Sequence, residues 1–244
     1  MEMFPDKLRF SRRDVLIGAL ALTVGVLIES PSHSFFDQTR NMSPLAPENG
    51  EAQSTLEIEW LPDTVKRWKT LIEKFSHQYD IDPDLTAIIM TVESGGDPNA
   101  QSKYATSLMQ ITPDRAKDIA NNFMKPPRKS YDLKDPATAI EFGVLNIRHL
   151  TDKFGNPNQG PAWDKTVGLV AAGYNGGEGV AQQYLDGGLK GLEDNKESHA
   201  YVRYVTRMWD ERHDDKSFAY RAWLNPLEGN GQALVNNAAK YVKP

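Results

Sequence analysis

Hydrophobic and polar positions divide the chain into stretches of different texture. Val15 to Ile28 reads VLIGALALTVGVLI, with no charge and no proline. That run is shorter than the roughly 20 residues that cross a bilayer comfortably as a helix. It fits the apolar part of an export signal, about 7–15 residues long. Glu29 to Thr55 follows, rich in Ser, Pro, Asn, Gln and Glu, with Phe35-Phe36 as its only hydrophobic point. Such a stretch buries too little apolar surface to offset the entropy of ordering, and reads as a tether. From Asp63 the texture turns helical: Val65, Trp68, Leu71, Ile72, Phe75 and Tyr79 recur at spacings of three and four in a single apolar stripe. Asp82-Pro83-Asp84 then predicts a helix start, with a carboxylate at the cap and proline in the first turn. Leu85, Ile88, Ile89 and Val92 continue it inward until Gly95-Gly96 stops it.

These textures give a mostly α chain in four parts. Residues 1–30 are an export signal or membrane anchor and residues 31–59 a disordered linker. Residues 60–210 form the folded domain. Residues 211–244 are a C-terminal helical extension, where Phe218, Tyr220, Trp223 and Leu224 pack on the domain. Ser11-Arg12-Arg13-Asp14-Val15-Leu16 resembles a twin-arginine export motif, with Val15 where Phe is usual. The chain is therefore expected in the periplasm or cell envelope, with membrane association through Val15 to Ile28.

Composition narrows the chemistry. The 244 residues contain no cysteine, which excludes thiolate nucleophiles, Cys-ligated zinc, iron–sulfur clusters and disulfides. A lipoprotein anchor, carried on a Cys, is excluded too. Lys and Arg number 28 against 33 Asp and Glu, a net charge of −5. That balance argues against a protein built to grip nucleic-acid phosphate. The five histidines show no HExxH or other clustered spacing, so no metal and no cofactor is expected. No G-x-S-x-G elbow or P-loop is present; Gly176-Gly177-Glu178-Gly179 lacks the following Lys-Ser/Thr.

Glu93 stands out physically. It falls on the last turn of an apolar helix, just before a glycine break. The negative end of the helix dipole and an apolar neighbourhood both disfavour its ionised form. A carboxyl held neutral near pH 7 is what a general acid requires. Spacing alone leaves open an ordinary exposed glutamate at a helix end.

The surrounding residues favour the catalytic reading. Glu93-Ser94-Gly95-Gly96-Asp97-Pro98-Asn99-Ala100-Gln101-Ser102, continuing to Ser107-Leu108-Met109-Gln110-Ile111-Thr112-Pro113, resembles the active-site region of the lysozyme-like lytic transglycosylases, bacterial enzymes that cut peptidoglycan. Ala171-Ala172-Gly173-Tyr174-Asn175-Gly176-Gly177-Glu178-Gly179-Val180 is similar to that family's Ala-Tyr-Asn-Ala-Gly segment. Glu197-Ser198-His199-Ala200-Tyr201-Val202 resembles its Glu-Thr-x-x-Tyr-Val segment. Asp135-Pro136 through Gly143 to Leu150 is similar to its cleft-supporting helix. The resemblance implies a lysozyme-like fold with Glu93 as the single catalytic acid/base. It places Ser102 and Gln110 along the sugar cleft and implies that Tyr174 reaches the catalytic carboxyl. Asn175 and Tyr201 would shape and close the same site. One departure bears on substrate fit: Lys103-Tyr104-Ala105-Thr106-Ser107 has none of the glycines usual in that loop, and the spacing from Ser102 to Gln110 is one residue short.

A single well-placed carboxyl has mechanistic meaning. Ordinary glycoside hydrolysis uses two, one acid and one nucleophile or base. A lytic transglycosylase needs one, because the sugar's own C6 hydroxyl replaces water. The resemblance therefore implies cleavage of the β-1,4 bond between N-acetylmuramic acid and N-acetylglucosamine, leaving 1,6-anhydro ends, with peptidoglycan strands as partner. Two alternatives remain at this point: a muramidase that hydrolyses the same bond, and a peptidoglycan-binding module with weak turnover.

Overall fold

The computed structural model describes residues 55–155, 163–227 and 229–241. The segment expected to be signal or anchor, including Val15 to Ile28, lies outside the described residues, as does the linker up to residue 54. Among the described residues, ten α-helices follow in order: α1 (Asp63–Lys66), α2 (Lys69–Gln78), α3 (Pro83–Ser94), α4 (Pro113–Asp118), α5 (Pro136–Phe154), α6 (Trp163–Gly176), α7 (Glu178–Gly187), α8 (Lys196–Asp210), α9 (Phe218–Leu224) and α10 (Gly231–Ala239). A π-helical turn, Ile119–Phe123, extends α4, and a short 3-10 turn, Gly188–Leu192, follows α7. Among the described residues, extended pairing is confined to isolated bridges between Gln101 and Thr106 and between Thr106 and Ile111.

The start and stop of α3 follow local chemistry. Asp82 accepts the backbone N–H of Asp84 at 2.8 Å, with Pro83 in the first turn. Gly95 ends the helix at φ +63°, a left-handed conformation that costs glycine little. The next residue must also be glycine, because a Cβ at Gly96 would lie 2.2 Å from the Thr64 carbonyl oxygen. α3 is buried on more than one stripe: Leu85, Ile88, Ile89 and Met90 are all fully enclosed. At roughly 1.5–3 kcal/mol for each fully buried side chain of this size, the helix is fixed chiefly by packing. It lies against α2, α5 and α8.

Elsewhere the structure corrects the expectations. The apolar stripe from Val65 to Tyr79 is two helices, because α1 ends at Lys66 and α2 begins at Lys69. Trp68 stands in the break, where its indole N–H donates to the Gly96 carbonyl oxygen at 3.1 Å. The packed chain also begins before Trp60. Leu56 and Ile58, expected in the linker, are buried, and the Leu56 N–H donates to Glu73 at 3.0 Å.

α5, α6 and α8 complete the frame, with α6 packed against the other two and against α7. α5 meets the loop after α3 at Gly143, where an added Cβ would fall within 2.6 Å of the Met109 side chain. That close approach lets Met109 seat on the helix. The C-terminal helices pack back on the body: α9 on α8, and α10 on α1, α3 and α9.

Candidate active site

Glu93 sits half-buried on the last turn of α3. Its Oε1 accepts the phenol O–H of Tyr201, from α8, at 2.7 Å. Three influences act on the carboxyl. Burial disfavours the charged form, the Tyr201 hydrogen bond favours it, and the negative charge of Glu197 on the same face of α8 disfavours it. Burial wins, and the pKa is pushed up to about 8. Glu93 is thus mostly protonated at neutral pH, with a donor poised to stabilise the carboxylate once its proton leaves.

The end of α3 is tied to the loop that follows. The buried Ser94 hydroxyl donates to the Leu108 carbonyl oxygen at 2.7 Å and accepts the Gly96 N–H at 3.1 Å. Asp97 accepts the Asn99 N–H at 2.8 Å in an Asx-type turn. Ser102 forms a similar local turn: its hydroxyl oxygen accepts the backbone N–H groups of Tyr104 and Ala105 at 3.2 and 2.9 Å. Gln110 closes the loop, its side-chain amide donating to the carbonyl oxygens of Ala100 and Ser107 at 3.1 and 2.9 Å.

This loop carries strain at two positions. Ser107 adopts φ +67° and Gln110 φ +45°, both uncommon for residues with a Cβ. The Ser107 hydroxyl is buried without a hydrogen-bond partner.

Behind the loop, an open cleft of about 280 Å³ runs between α4, α5 and α6. Gln110, Tyr174 and Asn175 line it together with Arg115, Asn146 and Glu178. Three of the five residues expected to bind sugar therefore share one cleft, while Ser102 belongs to the loop turn and Tyr201 to the Glu93 contact.

The expected partnership of Tyr174 with Glu93 needs correction. The Tyr174 hydroxyl donates to the Met109 carbonyl oxygen at 2.8 Å, and Tyr201 is the residue bonded to Glu93. The seating of Met109 on Gly143 brings that carbonyl within reach of α6. Tyr174 still feels the Glu93 charge, and burial followed by that charge holds its phenol well above the ordinary range. Tyr201 is raised likewise, first by burial and then by Glu93. Both phenols are neutral donors. Asn175 accepts the Ser198 hydroxyl at 2.7 Å, pinning α6 to α8 beside the site.

The sequence matches the Transglycosylase SLT domain over residues 70–193, about half of its length. The chain belongs to that family. The SLT match takes in Glu93, Ser102, Gln110, Tyr174 and Asn175, and Tyr201 lies beyond its end. A protein of Buchnera aphidicola called membrane-bound lytic murein transglycosylase E is 33% identical over 141 residues, covering 56% of this chain and 62% of that protein. A membrane-bound lytic murein transglycosylase C of Actinobacillus pleuropneumoniae is 32% identical over 125 residues, covering 50% of this chain and 33% of the relative. The protein of the same name from Haemophilus ducreyi is 29% identical over 147 residues, covering 57% and 39%. The chain thus matches less than two thirds of each relative's length.

Two features of the site carry no local signal in the sequence. One is the direct bond from Tyr201 to Glu93, which only the packing of α8 on α3 creates. The other is the polar end of the cleft at Arg115, Asn146 and Glu178. Arg115 in the last turn of a short helix gives no signal distinguishing it from a surface cation. Among the described residues, no group of three or more His, Asp or Glu side chains is arranged to hold a metal ion.

Proposed function

We propose that the protein is a peptidoglycan lytic transglycosylase in which Glu93 acts first as acid and then as base. The observation that carries this reading is the single carboxyl at the end of α3, raised to about 8 by burial and bonded to Tyr201 at 2.7 Å. The family, and the murein transglycosylase names of its relatives, support the substrate class.

The Glu93 carboxyl donates its proton to the oxygen linking N-acetylmuramic acid to the next N-acetylglucosamine. The bond from that oxygen to C1 breaks, and positive charge develops at C1. The Tyr201 hydrogen bond steadies the carboxylate left behind. That carboxylate removes the proton of the same sugar's C6 hydroxyl, whose oxygen bonds to C1 and leaves a 1,6-anhydro end. Glu93 is then protonated again. The tethered nucleophile has a high effective concentration, so neither a second carboxyl nor a positioned water is needed. Gln110, Tyr174 and Asn175 line the adjoining cleft as sugar-binding groups, and Ser102 shapes the loop turn outside that lining.

An export route through Arg12-Arg13 and attachment through Val15 to Ile28 would put the domain beside its substrate in the cell envelope. No helix of the described residues is long and apolar enough to cross a membrane.

Mass analysis of products released from purified peptidoglycan tests the assignment. Anhydro-ended fragments from the wild type, and none from Glu93→Gln, are expected. Reducing ends would establish a hydrolase, and no release a binding module.

A further inference from the structure

The cleft carries a cation that the reaction just described does not use. Arg115 lines it with its side chain 23% exposed. Its Nε donates to Asn146 Oδ1 at 2.7 Å, and its Nη1 pairs with Asp118 at 2.5 Å. Nη2 has no partner among the described residues. The guanidinium lies 5.2 Å from the centre of the Phe123 ring, which is itself packed 4.5 Å from the His149 ring. These contacts hold the planar fork in one orientation, so little further ordering is needed to bind a second acceptor.

The neighbouring carboxylates favour the charge without filling the guanidinium's donors. Glu178, also in the cleft, is paired with Lys153 and bonded to His149 at 2.9 Å. Asp118 occupies one edge of the fork and is 39% exposed, so much of its charge is screened by water. The group is therefore a desolvated, oriented cation with an open donor, beside Tyr174, Asn175 and Gln110. An N-acetylated sugar alone is neutral and gives such a charge no counterpart. Burial disfavours the charged guanidinium more than the nearby Asp118 and Glu178 charges favour it, so the Arg115 pKa lies below its usual value.

The geometry points to a carboxylate-binding subsite at Arg115, which takes an acidic group carried by the glycan in the cleft. That group is the lactyl carboxylate of the sugar or a carboxylate of a peptide attached to it. The inference rests on the glycan reading above and gives the cleft a selectivity for acid-bearing strands over plain N-acetylglucosamine polymers.

Calorimetric titration of the full chain carrying Glu93→Gln, which blocks turnover, provides the test. The probes are chitotetraose, a peptide-free tetrasaccharide of alternating N-acetylglucosamine and N-acetylmuramic acid, and the same tetrasaccharide with its peptide. Adding Arg115→Gln is expected to weaken the acidic ligands about tenfold or more while leaving chitotetraose within about twofold. Arg115→Lys, which keeps the charge but loses the fork, should fall between. Loss confined to the peptide-bearing strand assigns the carboxylate to the peptide, and loss for both acidic strands assigns it to the sugar. Equal weakening of all three ligands would mean that Arg115 only clamps α4 to α5, and no weakening would mean that it touches no ligand; either overturns the subsite alone. If the Glu93→Gln chain binds none of the three, the glycan reading falls and the subsite with it.

Discussion

The two ends of α3 each carry a carboxyl whose pKa is raised far above the usual carboxylate range, yet their surroundings suit different roles. Asp84, in the first turn, is pushed up to about 7 by burial and by the nearby charge of Asp82. Glu93, in the last turn, is pushed up to about 8 by burial and by Glu197. The helix dipole alone would lower the first and raise the second, by roughly 0.3–1 kcal/mol each. Both rise, with burial the first cause at each end, so desolvation overrides the dipole at Asp84 and leads it at Glu93. Access and partners make the difference. Asp84 is 5% exposed and has a buried oxygen without a partner. Glu93 is half-buried, meets the phenol of Tyr201 and feels the nearby Tyr174. A raised pKa marks burial, and becomes chemistry only where a proton can be delivered to something outside.

Substitution should separate the two ends sharply. Glu93→Gln should cut release of soluble fragments from peptidoglycan by at least about a hundredfold, the usual scale of lost acid–base catalysis. Asp84→Asn should leave release within about threefold. Comparable losses from both would erase the distinction.

Tyr201→Phe comes next. It removes a hydrogen bond to the charged form of Glu93 and should slow turnover about ten- to a hundredfold. Without that bond the carboxylate is less favoured, so the high-pH fall of kcat/KM should move to higher pH. Tyr174→Phe, which frees the Met109 carbonyl instead, should cost less and leave that limb in place. If the two variants exchange these effects, the assignment of the Glu93 partner is wrong.

A smaller effect concerns pH and stability. Because burial raises both carboxyls, the folded state binds more protons than the unfolded state between their ordinary and raised pKa values. Stability conferred by the protonated groups is therefore lost as pH rises, from about 4 to 7 for Asp84 and from about 4.5 to 8 for Glu93. Asp84→Asn and Glu93→Gln should each gain in Tm relative to wild type between pH 5 and pH 8.5. A gap that does not change with pH would show that neither carboxyl is perturbed.

The smallest change is expected at the loop. Ser107→Gly relieves a left-handed φ and removes a buried, unpartnered hydroxyl. The net gain should be about 1 kcal/mol, read as a modest rise in Tm. A fall would mean that the serine hydroxyl has a partner in solution.

What could be read in the sequence was local. Asp82-Pro83-Asp84 and Gly95-Gly96 announce the limits of α3 because caps and glycine stops act within a few residues. The position of Glu93 on the last turn follows from them, and so does its expected aversion to charge. Apolar spacing from Val65 to Tyr79 could not reveal the break at Trp68, where the indole bonds to Gly96 across 28 positions. Nor could it choose between Tyr174 and Tyr201. The deciding bond joins residues 108 apart and depends on the approach of α8 to α3. Leu56 and Ile58 looked like linker because two apolar residues in a polar stretch show no period, yet both are buried.

The central claim is that one carboxyl suffices because the strand supplies its own nucleophile. Digestion of purified peptidoglycan in water enriched in oxygen-18, followed by mass spectrometry of the new sugar ends, tests it directly. Attack by the C6 hydroxyl gives 1,6-anhydro ends with no solvent-derived oxygen. Reducing ends each carrying one labelled oxygen would contradict it, since water would then be the nucleophile that Glu93 activates.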